Sequence, residues 1–111
     1  MKKILLFIFV LFLFSCESKL NVEVPSDLKT PCVIYFSSEH CGWCRKFDPH
    51  WESVKSDTSF KNVTFYSNIH EEQFDVQSLP TLVFINKNKE VIKRVGYMGE
   101  KSFRKHLKKF L

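Results

Sequence analysis

The chain has 111 residues, of which 44% are hydrophobic, and it contains twelve phenylalanines. This length suits one domain, and the composition indicates a packed core and excludes a disordered chain. The formal net charge is +5, but Lys2 and Lys3 lie in a first segment without acidic residues, so the chain from residue 16 onward carries only +3. This net positive charge is too small to indicate a nucleic-acid-binding protein, and we expect no nucleic-acid partner.

The first fifteen residues have the pattern of a secretory signal peptide. Residues 1–3 carry two lysines, and residues 4–14 form an unbroken apolar run. A membrane-spanning helix needs about 20 apolar residues, so this run is too short to span comfortably. We therefore predict that residues 1–15 are a signal peptide and that the protein is exported to an extracytoplasmic space, either periplasmic or secreted.

The end of this segment resembles the processing site of bacterial lipoproteins, in which a cysteine becomes the lipidated first residue. Leu13 and Ser15 fit that pattern ahead of Cys16, whereas Phe14 is bulkier than the usual residue at its position. We expect Cys16 to be lipidated and to anchor the protein to a membrane of the cell envelope. The alternatives are an ordinary signal peptide or an uncleaved short anchor, in which Cys16 plays no part.

Residues 16–30 are mostly polar and are predicted to be a tether that leads into a domain over residues 31–111. Within the tether, Pro25-Ser26-Asp27 predicts a turn or the start of a short helix. No internal repeat or low-complexity tract interrupts the chain, which agrees with a single folded domain.

A pair of cysteines follows the first predicted core strand. Residues 32–37 are rich in β-branched and aromatic types, which is typical of a buried strand. Cys41 and Cys44 come next, at the start of a helix predicted to run from about Gly42 to Lys55 with a bend at Pro49. This spacing places both sulfurs on one helix face, and the N–H groups of a helix N-terminus favour a thiolate. The sequence therefore predicts Cys41 as a nucleophile and Cys44 as its resolving partner.

Two other interpretations of this pair have to be weighed. Cysteines at this spacing form half of many zinc sites, but Cys32 and the four histidines supply no second closely spaced pair. An inert structural disulfide gains little from closing so short a loop. Redox chemistry is the favoured interpretation, and Cys32 is expected to be a small buried side chain within the strand.

The rest of the chain predicts three further strands and two further helices. The predicted strands are residues 63–66, 81–85 and 90–95, with a hairpin turn over residues 86–89. The predicted helices are residues 70–76 and 102–111. The order β-α-β-α-β-β-α predicts an α/β fold with a central mixed sheet and helices on both sides.

Two separated motifs give the chain a resemblance to the thioredoxin superfamily. The first motif is a strand followed by Cys41-Gly42-Trp43-Cys44 and a helix. The second is Leu79-Pro80-Thr81 before an apolar strand. The run from Cys41 to Trp51 is most similar to domains of the protein disulfide isomerase type. The resemblance implies a thioredoxin-like fold and a thiol–disulfide oxidoreductase that acts on protein thiols and disulfides. A dithiol outside the cytoplasm also needs a redox partner that recycles it, and we expect no cofactor or bound metal.

The resemblance also implies roles for residues near the cysteines. Pro80 corresponds to a cis-proline that packs against the pair, with Leu79 offering backbone groups to an extended substrate, and Trp43 is expected to contact substrate. Arg45 adds positive charge that favours a Cys41 thiolate. His40 adds a group of the type that titrates near neutral pH, although a plain surface histidine fits equally well.

Tyr35 departs from the pattern of these families. Six residues before the first cysteine they usually carry a buried Asp or Glu that exchanges a proton with the second cysteine. A tyrosine titrates near 10 and is a poor base at neutral pH. We expect Tyr35 to be a core aromatic residue with a satisfied hydroxyl, and water or another group to move the proton.

The function predicted from the sequence is an exported, membrane-anchored thiol–disulfide oxidoreductase that uses Cys41 and Cys44. The alternative is a non-catalytic module of the same fold that binds cysteine-containing partners in the groove beside Pro80. Retention of both cysteines favours the oxidoreductase.

Overall fold

The structure is a computed structural model that describes residues 18–111, so the predicted signal peptide and Cys16 lie outside the described residues. The described chain forms five strands, two α-helices and one short 3-10 helix. They are β1 (Ser18–Leu20), β2 (Cys32–Phe36), α1 (Gly42–Lys55), the 3-10 helix (Thr58–Phe60), β3 (Thr64–Ser67), β4 (Thr81–Ile85), β5 (Val91–Val95) and α2 (Glu100–Phe110).

The strands form one mixed sheet in the order β1-β5-β4-β2-β3. Strands β2 and β3 are parallel, and the other neighbouring strands are antiparallel. Every residue of β2 and β4 is buried, as expected for central strands covered on both faces. The residues predicted as a tether contain β1, which pairs with β5, so part of that segment belongs to the sheet.

Both helices pack on the same face of the sheet. The apolar positions of α1 and α2 meet side chains that alternate along β2, β4 and β5, and Phe103 of α2 is fully buried at the centre. Its ring lies 5.2 Å from that of Phe47 and 5.9 Å from that of Trp51, both on α1. Aromatic pairs at such distances add stabilisation beyond the area they bury. This packing fixes α1, and therefore its first turn, relative to the sheet.

The opposite face is covered without a helix in the described residues. Phe74 and Leu28 are buried there against the outward side chains of β2, β4 and β5. The helix predicted over residues 70–76 is wrong, because His70 and Asp75 adopt left-handed backbone conformations with φ of +56° and +51° that interrupt a right-handed helix. The thioredoxin-like α/β fold is confirmed, whereas the prediction of helices on both sides is wrong for the described residues.

Candidate active site

Cys41 and Cys44 are joined by a disulfide at the end of the sheet where β2 leads into α1. Their Cα atoms are 5.2 Å apart. Cys41 is the N-cap residue of α1, and its Sγ accepts a hydrogen bond from the backbone N–H of Cys44 at 3.1 Å. The predicted position of the pair at a helix start is therefore the observed one.

The two sulfurs differ in exposure and in charge environment. Cys41 is partly exposed, whereas Cys44 is 1% exposed. The first turn of α1 contains no acidic residue, so nothing within it offsets the positive end of the helix dipole. After reduction, a thiolate on Cys41 would keep the Cys44 N–H as a charge-assisted donor. The geometry can stabilise one reactive, accessible sulfur at Cys41.

Basic side chains near the pair are held by specific contacts. The Arg45 guanidinium donates a hydrogen bond to the backbone carbonyl of Glu39 at 2.9 Å, which ties the loop before Cys41 to the helix. The Lys46 ammonium lies over the Trp43 ring, 4.5 Å from its centroid. His40 is exposed on that loop. Arg45 therefore helps to position the loop, and it also carries the positive charge that was predicted to favour a Cys41 thiolate.

A shallow groove of about 340 Å³ is lined by Trp43, which stands between the two cysteines in the sequence, and by Leu79, Pro80, Gly96 and Tyr97. The Leu79–Pro80 peptide bond is cis, as the resemblance implied. Trp43, Leu79 and Tyr97 are 57%, 39% and 40% exposed, so an apolar surface is open to solvent here. The groove brings together Trp43, Leu79 and Pro80, the three residues predicted to contact substrate.

Gly96 closes one side of this groove. Its backbone N–H donates to the carbonyl of Pro80 at 2.8 Å, and its φ of +102° is a conformation that side-chain-bearing residues rarely adopt. The glycine therefore allows the chain after β5 to turn sharply next to the proline loop.

Tyr97 and His50 also belong to the site, although the sequence did not single them out. The Tyr97 ring lies 5.5 Å from that of Trp43, and its hydroxyl is 2.8 Å from Nε2 of His50. His50 in turn lies 3.5 Å from a carboxylate oxygen of Glu100. Because these contacts join α1 to the segment after β5, no local spacing in the sequence indicates them.

Tyr35 is almost fully buried, at 3% exposure, and its hydroxyl points to the first turn of α1. The hydroxyl oxygen lies 3.0 Å from the backbone carbonyl oxygen of Cys44 and 2.7 Å from Oδ1 of Asp48, and its one proton is shared between these two acceptors. Burial, reinforced by the bond to Asp48, raises the pKa of Tyr35 well above its ordinary value. Tyr35 is a core aromatic with a satisfied hydroxyl, as predicted. Its partner Asp48 was missed, although it lies four residues after Cys44 on the same helix.

Cys32 is fully buried in β2, on the sheet face away from the helices. Burial raises the pKa of its thiol to about 12. A thiol in this state is a poor nucleophile, which agrees with the buried structural role expected from the sequence.

Other surfaces of residues 18–111 offer less for redox chemistry. A larger cleft of about 550 Å³ next to Lys105 and His106 includes neither cysteine of the pair. No group of three potential metal ligands from His, Cys, Asp and Glu comes together in these residues. None of their helices combines the length and apolar character needed to cross a membrane.

Comparison with known proteins identifies the family. The family model described as Thioredoxin matches residues 15–109. The chain belongs to the thioredoxin family. A thioredoxin of Mycoplasmoides gallisepticum is 29% identical over 80 residues, which cover 68% of this chain and 80% of that protein.

Solved thioredoxins have the same fold. The thioredoxin of Fasciola hepatica is 26% identical, with a TM-score of 0.61, covering 72% of this chain and 80% of that one. Mitochondrial thioredoxin 3 of Saccharomyces cerevisiae, in its oxidised form, is 22% identical with a TM-score of 0.59, covering 69% of this chain and 76% of that one. Membership of the thioredoxin family agrees with a disulfide-capable Cys41–Cys44 pair and indicates thiol–disulfide chemistry in general.

The difference in environment between the cysteines predicts selective alkylation. In reduced protein at mildly acidic pH, iodoacetamide should label Cys41 at least about tenfold faster than Cys44 or Cys32, because Cys41 alone among these three cysteines combines exposure with a helix N-terminus. Peptide mapping by mass spectrometry measures each site, including Cys16, separately. A Cys32→Ala variant is the control and should label like the wild type. Equal labelling of Cys41, Cys44 and Cys32 would contradict the assignment.

Proposed function

We propose that this protein is an exported, membrane-anchored thiol–disulfide oxidoreductase that acts on protein disulfides. The observation that carries the proposal is the disulfide between a partly exposed N-cap cysteine and a buried cysteine one turn later. The exposed groove beside it gives a protein substrate a place to bind. Membership of the thioredoxin family supports the reaction class.

In the reductive direction, the reaction begins from the Cys41 thiolate and the Cys44 thiol. The Cys41 sulfur attacks a substrate disulfide, so that a Cys41–substrate bond forms and one substrate sulfur leaves as a thiolate. The Cys44 sulfur, after losing its proton, then attacks Cys41 and releases the second substrate thiolate. Two electrons pass to the substrate, and the Cys41–Cys44 disulfide is left for a dithiol partner to reduce. The reverse sequence oxidises a substrate dithiol.

Substrate recognition is proposed to depend on the groove. Trp43 and Tyr97 present exposed aromatic surface on which apolar side chains of a substrate can pack. Leu79 lies next to Pro80 at the other side, where its backbone groups can pair with an extended substrate segment. Because backbone pairing is independent of sequence, this arrangement favours a broad range of protein substrates over one specific partner.

Similarity to the protein disulfide isomerase type supports a further proposal about the reaction. The basic residues after Cys44, the helix proline and Trp51 follow the pattern of that type. Outside the cytoplasm disulfides persist, so a dithiol there requires either an electron donor or an oxidant. We therefore propose that a separate redox partner recycles the pair in the envelope.

Membrane anchoring is proposed through a lipid on Cys16. The support is the signal-like first fifteen residues and their resemblance to a lipoprotein processing site. Glu17 alone separates Cys16 from β1, so an anchored domain would be held close to the bilayer surface. Substrates would then be proteins of that membrane or of the adjoining compartment.

The two cysteine variants should separate the steps of the reaction. Pre-reduced Cys44→Ser, freed of reductant before it meets insulin, should form a stable mixed disulfide with insulin, because the resolving thiol is missing. Turnover is measured separately, with dithiothreitol as the reductant. Cys41→Ser should neither trap insulin nor turn it over, with activity at least about a hundredfold below wild type. Non-reducing electrophoresis and insulin-reduction rates measure both effects. Cys32→Ala serves as the matched control with wild-type behaviour. Insulin reduction by Cys41→Ser at the wild-type rate would refute the proposed function.

The anchor is tested in a bacterial expression host that processes lipoproteins. Wild-type protein should incorporate labelled fatty acid and fractionate with membranes, whereas Cys16→Ser should do neither. Cys32→Ala retains the processing site and should behave as wild type. A mature wild-type protein with an unmodified N-terminus at another residue would exclude lipidation, without affecting the proposal for the redox pair.

A further inference from the structure

We propose that the outer side of α2, together with β1, forms a basic face that binds the anionic headgroups of the membrane to which the protein is anchored. This basic face consists of five exposed lysines: Lys19 of β1 and Lys101, Lys105, Lys108 and Lys109 of α2. The inference rests on the proposed anchoring through Cys16. It adds a class of lipid and an orientation of the domain on the bilayer.

The five lysines form one continuous surface. A depression of about 460 Å³ along α2 is lined by basic side chains, among them Lys105 and Lys109. The same two lysines line the cleft of about 550 Å³ that Lys19 reaches from β1. Glu90 is the one acidic residue among the described residues that line this cleft, and its carboxylate accepts a hydrogen bond from the Asn86 side chain at 2.9 Å. An anion that approaches this surface therefore meets mainly positive charge.

The lysines of the basic face have no acidic partner in an ion pair within residues 18–111. The ion pairs that Arg104 makes with Asp57 and Glu100 leave them out. Those on α2 lie three or four residues from one another along one side of the helix, where like charges repel. The helix dipole favours basic residues in the last turn but not Lys101 in the first. An anionic partner would relieve this repulsion.

Positive charge is concentrated on the basic face rather than spread over the domain. From residue 16 onward the chain has fifteen basic and twelve acidic residues, and five of the basic ones belong to this face. The remainder therefore has a net charge of −2. An anionic membrane attracts the basic face and on balance repels the rest of the domain, so charge selects the side that approaches the bilayer.

The basic face lies at the edge of the sheet to which the proposed anchor is attached. Strand β1 is an edge strand, and Lys19 comes three residues after Cys16. A lipid on Cys16 would hold the cleft close to the headgroups and so raise the effective concentration of lipid around it. A soluble acidic polypeptide would gain nothing from the anchor, which makes the membrane surface the better fit.

Binding is proposed to be electrostatic, without insertion of the helix. Phe103 and Leu107, the central apolar residues of α2, are buried against the sheet. They are therefore not available to enter the bilayer as the apolar face of an inserting amphipathic helix does. Each lysine near an anionic membrane contributes about fivefold in affinity, and salt at about 0.1 M screens this attraction beyond about 10 Å.

This orientation leaves the redox pair free to meet substrates. Cys41 follows β2, which lies three strands from β1, or about 14 Å across the sheet. None of the five lysines lines the groove formed by Trp43, Leu79, Pro80, Gly96 and Tyr97. A domain docked through the basic face would hold its groove beside the bilayer rather than against it.

Lysine acetylation on vesicles tests the basic face. Full-length wild-type protein, in the form that the bacterial host produces, is added from detergent to preformed vesicles of phosphatidylcholine, alone or mixed in equal parts with phosphatidylglycerol. An uncharged acetylating reagent is added, and mass spectrometry gives the rate at each lysine. On the anionic vesicles Lys101 and Lys105 should react at least about fivefold more slowly than on phosphatidylcholine, whereas Lys29 should react alike on both. High salt should remove the difference.

Two variants that each remove three positive charges provide the matched comparison. One changes the basic face, Lys105→Gln/Lys108→Gln/Lys109→Gln, and the other changes exposed lysines elsewhere, Lys29→Gln/Lys55→Gln/Lys61→Gln. The first should lose the protection of Lys101, because three fivefold contributions multiply to about a hundredfold. The second has the same net charge and should keep that protection. Insulin reduction on the same vesicles should equal the wild-type rate in both, which also shows that the variants are folded.

Acetylation of wild-type Lys101 at one rate on both kinds of vesicle, or equal protection in the two triple variants, would overturn the lipid-binding basic face. Stronger protection by soluble polyglutamate than by the anionic vesicles, at equal negative charge, would overturn it in favour of an acidic polypeptide partner. Neither result affects the redox pair. A wild-type protein that fails to reduce insulin on either kind of vesicle would instead count against the proposed function.

Discussion

The position of the two cysteines depends on how the first turn of α1 is held against the end of β2. Phe47 and Trp51 on α1 pack against Tyr35 of β2 and Phe103 of α2, which fixes the helix on one face of the sheet. Aromatic pairs of this kind contribute about 0.5–1.5 kcal/mol each beyond the area they bury. The Tyr35 hydroxyl then bonds to the carbonyl of Cys44, so a polar contact inside the apolar cluster sets the start of the helix. Since the helix N-terminus acts on Cys41, this packing also determines which sulfur is stabilised as a thiolate.

The same packing makes the two sulfurs unequal, and that inequality supports a directed exchange reaction. Cys41 is partly exposed at the helix N-terminus, two residues before Trp43 of the groove, whereas Cys44 is enclosed by the aromatic cluster. An exposed thiolate is suited to attack a substrate disulfide, and an enclosed thiol is protected from competing reactions until a mixed disulfide forms next to it. The Tyr35 hydroxyl contacts the backbone carbonyl of Cys44 and the Asp48 carboxylate, so it holds the turn that carries the enclosed cysteine against β2.

Much of this arrangement could be predicted from local sequence pattern. The apolar strand before Cys41, the helix with Phe47 and Trp51 on one side, and the hairpin after Thr81 each depend on spacing within a short segment. The helix predicted over residues 70–76 is wrong, because apolar spacing does not indicate the left-handed backbone conformations of His70 and Asp75. Tyr97 was missed because its contacts with Trp43 and His50 join distant segments. The position of Asp48, four residues after Cys44, indicates that both residues lie on one face of α1. Its bond to Tyr35 could not be predicted, because it depends on how β2 and α1 lie relative to each other.

The reduction potential of Cys41 and Cys44 distinguishes a redox pair from a structural crosslink. The protein is equilibrated in a series of glutathione or dithiothreitol redox buffers, quenched with acid, and its free thiols are counted by mass spectrometry. We expect one reversible two-electron transition within the range of about −120 to −270 mV covered by thiol–disulfide exchange proteins. A pair that stays oxidised at potentials below about −300 mV, as structural disulfides do, would contradict it.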